Sequence, residues 1–227
     1  MDIRHYTREL GQGDVLLLLH GNGEDGGYFK HQLQFFGKTY HVIAIDTRGH
    51  GETPRGSAPF TIGQFAEDLK EFMDERGIAK AHILGFSDGG NIAMEFALRY
   101  PQRVDRLILN GANLNPGGVK FSVQFPIVIG YYVTSLFAGR DPEAKKKKEL
   151  LGLMVKEPHV EPKRLKQLTN RTLVIAGTRD MIKESHTRLI CQSLPDAQLA
   201  LVEGDHFVAR RNSAEFNEVA AQFLAAK

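Results

Sequence analysis

Gly85-Phe86-Ser87-Asp88-Gly89 sets a serine between two glycines, directly after an apolar run and directly before a segment of helical period. In that strand–turn–helix context the G-x-S-x-G pattern presents the hydroxyl on a turn so sharp that bulky flanking residues would clash. A serine hydroxyl is a weak nucleophile until a base accepts its proton, and the base usually needs an acid to orient it. Both types follow downstream. Gly177-Thr178-Arg179-Asp180 comes after the run ending at Ala176, and Gly204-Asp205-His206 after the run ending at Val202. The chain order Ser87, Asp180, His206 matches nucleophile, orienting acid and base, and the chemistry of such a set is acyl transfer through a covalent acyl-enzyme. Eight other histidines compete for the base. His20 and His50 belong to glycine-rich loops with other duties, and His41, His82, His159 and His186 lack a place just after a strand. Asp205 adjoins His206 in sequence, and an immediate neighbour rarely points back at the ring nitrogen, so Asp180 is the expected acid.

The tetrahedral charge of acyl transfer needs two preorganised N–H donors. One is expected from Asp88, the residue after the nucleophile. The other is expected from Asn22, in the loop His20-Gly21-Asn22-Gly23, where glycines let backbone approach a ligand.

Side chains scattered over the chain meet only if strands deliver them to one edge. Val15–Leu19, His41–Asp46, Ala81–Gly85, Val104–Leu109, Thr172–Ala176 and Gln198–Val202 are short apolar runs bounded by Gly, Asp or Asn, the pattern of strands buried on both faces of a parallel sheet. Helical periods fill Gly27–Phe36, Ile62–Arg76, Gly90–Tyr100, Ile182–Leu194 and Ala214–Leu224. In the second, Ile62, Phe65, Leu69, Phe72 and Met73 form a core-facing stripe and Gly77 a stop. In a parallel sheet, residues that follow strands emerge at one edge. The alternation lapses between Asn113 and Lys166, which reads as an insertion.

With 227 residues the chain is expected to form one α/β domain over 1–227, with that insertion at about 113–166. A net charge of +2 offers no broad attraction to nucleic acid or to anionic membrane, so the expected partner is a small-molecule substrate. Lys145 to Lys148 reads as a solvated helix face. The single Cys191 cannot pair internally and the start Met1-Asp2-Ile3-Arg4-His5 lacks the apolar run of a signal peptide, which fits a reducing cytoplasm. Phe121 to Gly139 carries no charge, but Pro126, Gly130, Gln124 and several hydroxyls argue against a membrane span. No cofactor is expected, and without H-E-x-x-H or paired-Cys spacing no metal is expected either.

Together, His20-Gly21-Asn22-Gly23, Asp46-x-Arg48-Gly49-His50-Gly51, Gly85-Phe86-Ser87-Asp88-Gly89, Gly177-Thr178-Arg179-Asp180 and Asp205-His206 resemble the α/β-hydrolase superfamily over nearly the whole chain. The resemblance implies a twisted, mostly parallel sheet with helices on both faces and a short helical cap inserted after the strand ending near Asn110. Members with an alternative acid carry it after that strand, and Asn110-Gly111-Ala112-Asn113 offers no carboxylate. Gly85-Phe86-Ser87-Asp88-Gly89-Gly90 and Gly111-Ala112-Asn113 are also similar to the valacyclovir-hydrolase-like branch. Phe121, Phe125, Tyr131, Tyr132 and Phe137 give the cap an apolar face expected to roof a pocket for a small or medium acyl or alkyl group. Glu24, Asp25 and Asp88 near the mouth could attract a cationic group, as in an amino-acid ester. Two other readings compete. Gly21-x-Gly23-x-x-Gly26 followed by Asp46 matches a dinucleotide-binding fingerprint and would make the chain an NAD(P)-dependent oxidoreductase. The same fold could also serve as a non-enzymatic ligand receptor.

Overall fold

A short run such as Val15-Leu-Leu-Leu-Leu19 has no polar face to give to water, so it is stable as a strand only with helices over both sides. The computed structural model describes residues 2–226 and realises that arrangement; Met1 and Lys227, part of the expected 1–227 unit, lie outside the described residues. Seven strands form one sheet: β1 (Thr7–Leu10), β2 (Val15–Leu19), β3 (His41–Ile45), β4 (Ala81–Phe86), β5 (Val104–Asn110), β6 (Arg171–Gly177) and β7 (Ala197–Val202). They lie in the order β1-β3-β2-β4-β5-β6-β7, with β1 antiparallel to β3 and the other neighbours parallel.

The helices are α1 (Lys30–Phe36), α2 (Ile62–Glu75), α3 (Asp88–Arg99), α4 (Phe121–Phe137), α5 (Pro142–Lys156), α6 (Glu184–Ser193), the single turn α7 (Val208–Arg211) and α8 (Ser213–Ala225). Alternate strand residues divide the core into two layers. Leu17, Ile43, Ile83, Leu107 and Val174 pack with α2, α3 and α6. Leu16, Val42, Leu84, Ile108 and Leu173 pack with α1 and α8 on the other side. Full burial of one such side chain stabilises by about 1.5–3 kcal/mol, against about 0–1 kcal/mol for an exposed ion pair. Apolar packing therefore sets the sheet. β1 escapes a search for apolar runs because Arg8 and Glu9 sit at its centre and its residues are half-buried or exposed at the sheet's edge.

β2 lies between β3 and β4, so the chain leaves β2 toward one side and crosses back to the other after β3. Such a reversal opens a crevice at the carboxyl ends of the strands. Register lines those ends up: Leu19 is beside Gly85, Phe86 beside Asn110, Asn110 beside Ile175, and Gly177 beside Val202. The loops that follow emerge in a row. Between β5 and β6, α4 and α5 form a helical hairpin, with Asp141 capping α5 through a 2.9 Å bond from the Glu143 N–H.

Candidate active site

Ser87 occupies the turn between β4 and α3 with φ 54° and ψ −119°, the one positive φ among the described non-glycine residues. That conformation costs on the order of 1–3 kcal/mol and persists where its surroundings over-determine it. They do so here. The Ser87 N–H donates to the Asn110 carbonyl at 2.7 Å, and the Ser87 carbonyl accepts from the Asn91 N–H at 3.0 Å. A Cβ on Gly85 would stand 2.2 Å from the Gly89 carbonyl oxygen, and one on Gly89 would stand 2.0 Å from the Leu19 carbonyl oxygen. Both obstacles are backbone, so the two glycines flanking Ser87 are sterically required.

The His206 ring reaches this turn from the loop after β7. Its Nε2 is 3.0 Å from Ser87 Oγ, and its Nδ1 is 2.7 Å from Oδ1 of Asp180, which follows β6. An ionised carboxylate only accepts, so Nδ1 carries the hydrogen and Nε2 presents a lone pair to the hydroxyl. Burial by itself would push the Asp180 carboxyl up, but the hydrogen bond from His206 and the N–H groups of Ile182 (2.9 Å) and Gly177 (3.2 Å) bring it below the ordinary carboxylate value. Phe86 and Phe207 wall the ring, with centroids at 4.8 and 5.6 Å. The neighbouring acid Asp205 turns elsewhere, accepting from the Phe207 N–H at 2.9 Å and pairing with Arg211.

Asp88 opens α3, so its N–H has no acceptor within the helix. The loop bearing Asn22 runs alongside: a Cβ on Gly21 would come within 3.2 Å of Ser87 Cβ. His20 controls that loop, a role that sequence reasoning left unassigned. Its Nε2 accepts from the Thr47 N–H at 3.0 Å, which leaves Nδ1 to donate to the Gly21 carbonyl at 2.8 Å; the Glu24 N–H donates to the same carbonyl at 3.1 Å. Holding that oxygen from two sides fixes the Gly21–Asn22 peptide plane, and with it the Asn22 N–H on the opposite side. Burial pushes the His20 pKa down, which keeps the ring neutral for this work. His20 sits directly after an apolar strand and before a glycine; that signal was present but carried no role of its own.

The Asp88 carboxyl is buried. Its Oδ1 accepts from Asn91 Nδ2 at 3.2 Å, its Oδ2 has no partner, and burial pushes its pKa up to about 6. Asp25, in contrast, is occupied with the Gly27 N–H at 2.6 Å and Arg8 at 3.5 Å. Asp46 is fully buried and saturated by Gly26 N–H (2.7 Å), Glu52 N–H (2.9 Å) and Arg8 (2.8 Å). The acid that the dinucleotide reading assigns to a ribose therefore has no free face.

The cap is tied to both loops of the crevice, by Asn22 Nδ2 donating to the Leu150 carbonyl at 2.6 Å and by a two-bonded Arg55–Glu149 pair at 2.8 and 2.9 Å. A cavity of about 540 Å³ lies between α4, α5 and the Phe60–Thr61 segment, with Tyr131 and Glu157 in its wall; Ser87 and His206 do not line it. The expected aromatic roof needs correcting. Tyr131 is buried and lines the cavity, but Phe121, Phe125, Tyr132 and Phe137 are 52–74% exposed. α4 spends its Tyr131 and Thr134 face on burial and turns the other aromatics outward.

A family model described as the alpha/beta hydrolase fold matches residues 14–128, about half of the chain. The chain belongs to the α/β-hydrolase fold family. It is similar to the 2-hydroxy-6-oxo-6-phenylhexa-2,4-dienoate hydrolase of Burkholderia cepacia, at 26% identity over 99% of this chain and 92% of that protein. An uncharacterised Mycobacterium tuberculosis protein is 34% identical over 53% of this chain, and the match spans about a third (34%) of that relative's length. Among solved structures, the meta-cleavage product hydrolase CumD of Pseudomonas fluorescens IP01, as a variant, superposes with a TM-score of 0.79 at 25% identity, covering 98% of this chain and 94% of the other. The enol-lactonase of Burkholderia xenovorans LB400 superposes at 0.83 with 20% identity, covering 98% and 96%, a likeness of fold.

Proposed function

We propose that this α/β-hydrolase is a serine hydrolase that cleaves small or medium carboxylic esters through an acyl-enzyme, with Ser87 as nucleophile, His206 as base and Asp180 as orienting acid. One observation carries the reading: a continuous chain from Asp180 Oδ1 through both His206 nitrogens to Ser87 Oγ, at 2.7 and 3.0 Å. His206 takes the hydroxyl proton as Oγ attacks the ester carbonyl, and the N–H groups of Asp88 and Asn22 donate to the oxyanion. Collapse of the intermediate expels the alcohol, which receives that proton from His206. Water, activated by the same imidazole, then releases the acid. A small-molecule substrate and a reducing, cytoplasmic setting belong to the same reading.

The test is turnover of short p-nitrophenyl esters, with fluorophosphonate labelling and adduct mapping. Label on Ser87 and turnover lost in Ser87→Ala are expected; unchanged turnover in that variant would sink the proposal. The name of one relative adds 2-hydroxy-6-oxo-6-phenylhexa-2,4-dienoate as a comparison substrate beside these esters.

The unpartnered Asp88 Oδ2 favours one refinement, a preference for esters bearing a cationic amino group. The expected readout is a kcat/KM ratio of α-amino ester to des-amino analogue above one at pH 8. That ratio falls toward one as pH drops below about 6, where the Asp88 carboxylate gains its proton. A ratio of one at pH 8 removes the refinement and leaves the serine hydrolase standing.

A further inference from the structure

We propose that the outward face of α4, with the basic residues around it, docks on the surface of an anionic lipid bilayer. A helix that is apolar all round normally has protein or lipid on every side. α4 has protein on one side only. Phe121, Phe125, Ile129, Tyr132, Leu136 and Phe137 follow one another at helical spacing along its outer face and are 74, 52, 47, 64, 80 and 58% exposed. No charged residue interrupts the stretch from Phe121 to Gly139. Six large side chains at these exposures make a patch above the roughly 300–600 Å² that an ordinary monomer exposes. α4 is not a span, since no helix among the described residues is long and apolar enough to cross a membrane.

Charge selects the occupant. Lys120 precedes the first turn of α4, Arg140 follows its last, and the Lys145–Lys148 run opens the partner helix α5. Between Lys120 and Lys156 there are seven Lys and Arg against three Asp and Glu, a net +4 in a chain of net +2, so the rest of the chain is net −2. The α4–α5 hairpin that carries the exposed apolar stripe therefore holds more than the whole net positive charge of the chain, with Lys120, Arg140 and Lys147 exposed and Lys145, Lys146 and Lys148 beside the crevice between the hairpin and the Arg55–Phe60 segment. A second copy docking cap to cap would press two such basic regions together within a Debye length of about 8 Å. An anionic bilayer satisfies both properties, as phenyl and leucyl groups enter the headgroup boundary while lysines meet lipid phosphate.

The experiment is co-sedimentation of the full chain with phosphatidylcholine vesicles, with and without phosphatidylglycerol. Partition onto the anionic vesicles is expected to exceed that onto neutral ones by about tenfold or more and to weaken as salt rises. Leu136→Ser should lower it about tenfold, and Lys146→Gln with Lys147→Gln about 25-fold. All three positions are exposed, so thermal melts should match the parent. Ser87→Ala should bind as the parent does, which separates docking from any hydrolysis of the lipid. No partition, equal partition onto both vesicles, or binding indifferent to Leu136→Ser would overturn the proposal. So would a lipid-free dimer in sedimentation velocity that Leu136→Ser dissolves, which would give the face to a second copy.

Discussion

Around Ser87 the polar groups are held mainly by backbone. Asp180 accepts from His206 and two N–H groups, the Gly21 carbonyl accepts from His20 and Glu24, and Ser87 is locked at both its N–H and its carbonyl. The cap hairpin is different: side chains such as Asn22, Arg55 and Gln124 link it to the body or brace its helices, and much of its surface is apolar and exposed. Geometry that must hold to a few tenths of an ångström is built on strand ends that share a register. Properties that differ between relatives of one fold, such as what approaches and where the protein docks, are free to reside on an insertion.

The sharpest way to break that contrast is to disturb the strand-end site with the smallest change. Asp180→Asn keeps the shape but favours the wrong His206 tautomer, and ester turnover should fall about 10⁴-fold while the melting curve moves little. A fall under tenfold would mean that the carboxylate does not orient the base. Next in size is Gly89→Ala, where the new methyl meets the Leu19 carbonyl 2.0 Å away. A loss of about 3 kcal/mol is expected in urea unfolding; a change below 1 kcal/mol would show the turn to be pliable.

Asp88→Asn should work in the opposite direction. Because burial lifts the folded-state pKa from 3.8 to about 6, the native state binds the proton more tightly than the unfolded chain does, and stability falls as pH rises from about 4 to about 6. At pH 8 the neutral amide should be more stable than the parent by roughly 2–3 kcal/mol, a gain that disappears near pH 4. Chemical denaturation at both pH values reads this directly. The smallest effect belongs to the cap: a double-mutant cycle on Arg55 and Glu149, whose side chains are 34 and 24% exposed, should give a coupling of about 0.5–1 kcal/mol. Coupling above 2 kcal/mol would mean that the cap is held as firmly as the sheet.

The five interior strands are legible as apolar runs because each is buried on both faces, β7 because Leu199, Ala200, Leu201 and Val202 are apolar although it lies half-buried at the sheet's edge, and the α2 stripe because one face is buried. Helix starts are less so. α3 begins at Asp88 rather than at Gly90, since the turn at Ser87 passes straight into helix, and the segment from Gly27 opens as a 3-10 turn before α1. β1 is hidden by its charged edge. In the cap, hydrophobicity alone did not separate a face packed on α5 from one left bare, and four aromatics expected over a pocket point outward.

The sequence by itself determined the buried strands and the motifs that end them, because period and turn chemistry are local: a strand needs its own apolar residues, and the turn at Ser87 needs its own two glycines. Tertiary structure decided which of nine histidines meets the hydroxyl, which aspartate meets that histidine, and that His20 holds the Gly21–Asn22 peptide in place rather than facing Ser87. Those outcomes depend on strand order and register across 119 residues of separation between Ser87 and His206. No local pattern encodes such contacts, since they form only when the whole sheet brings its ends into line.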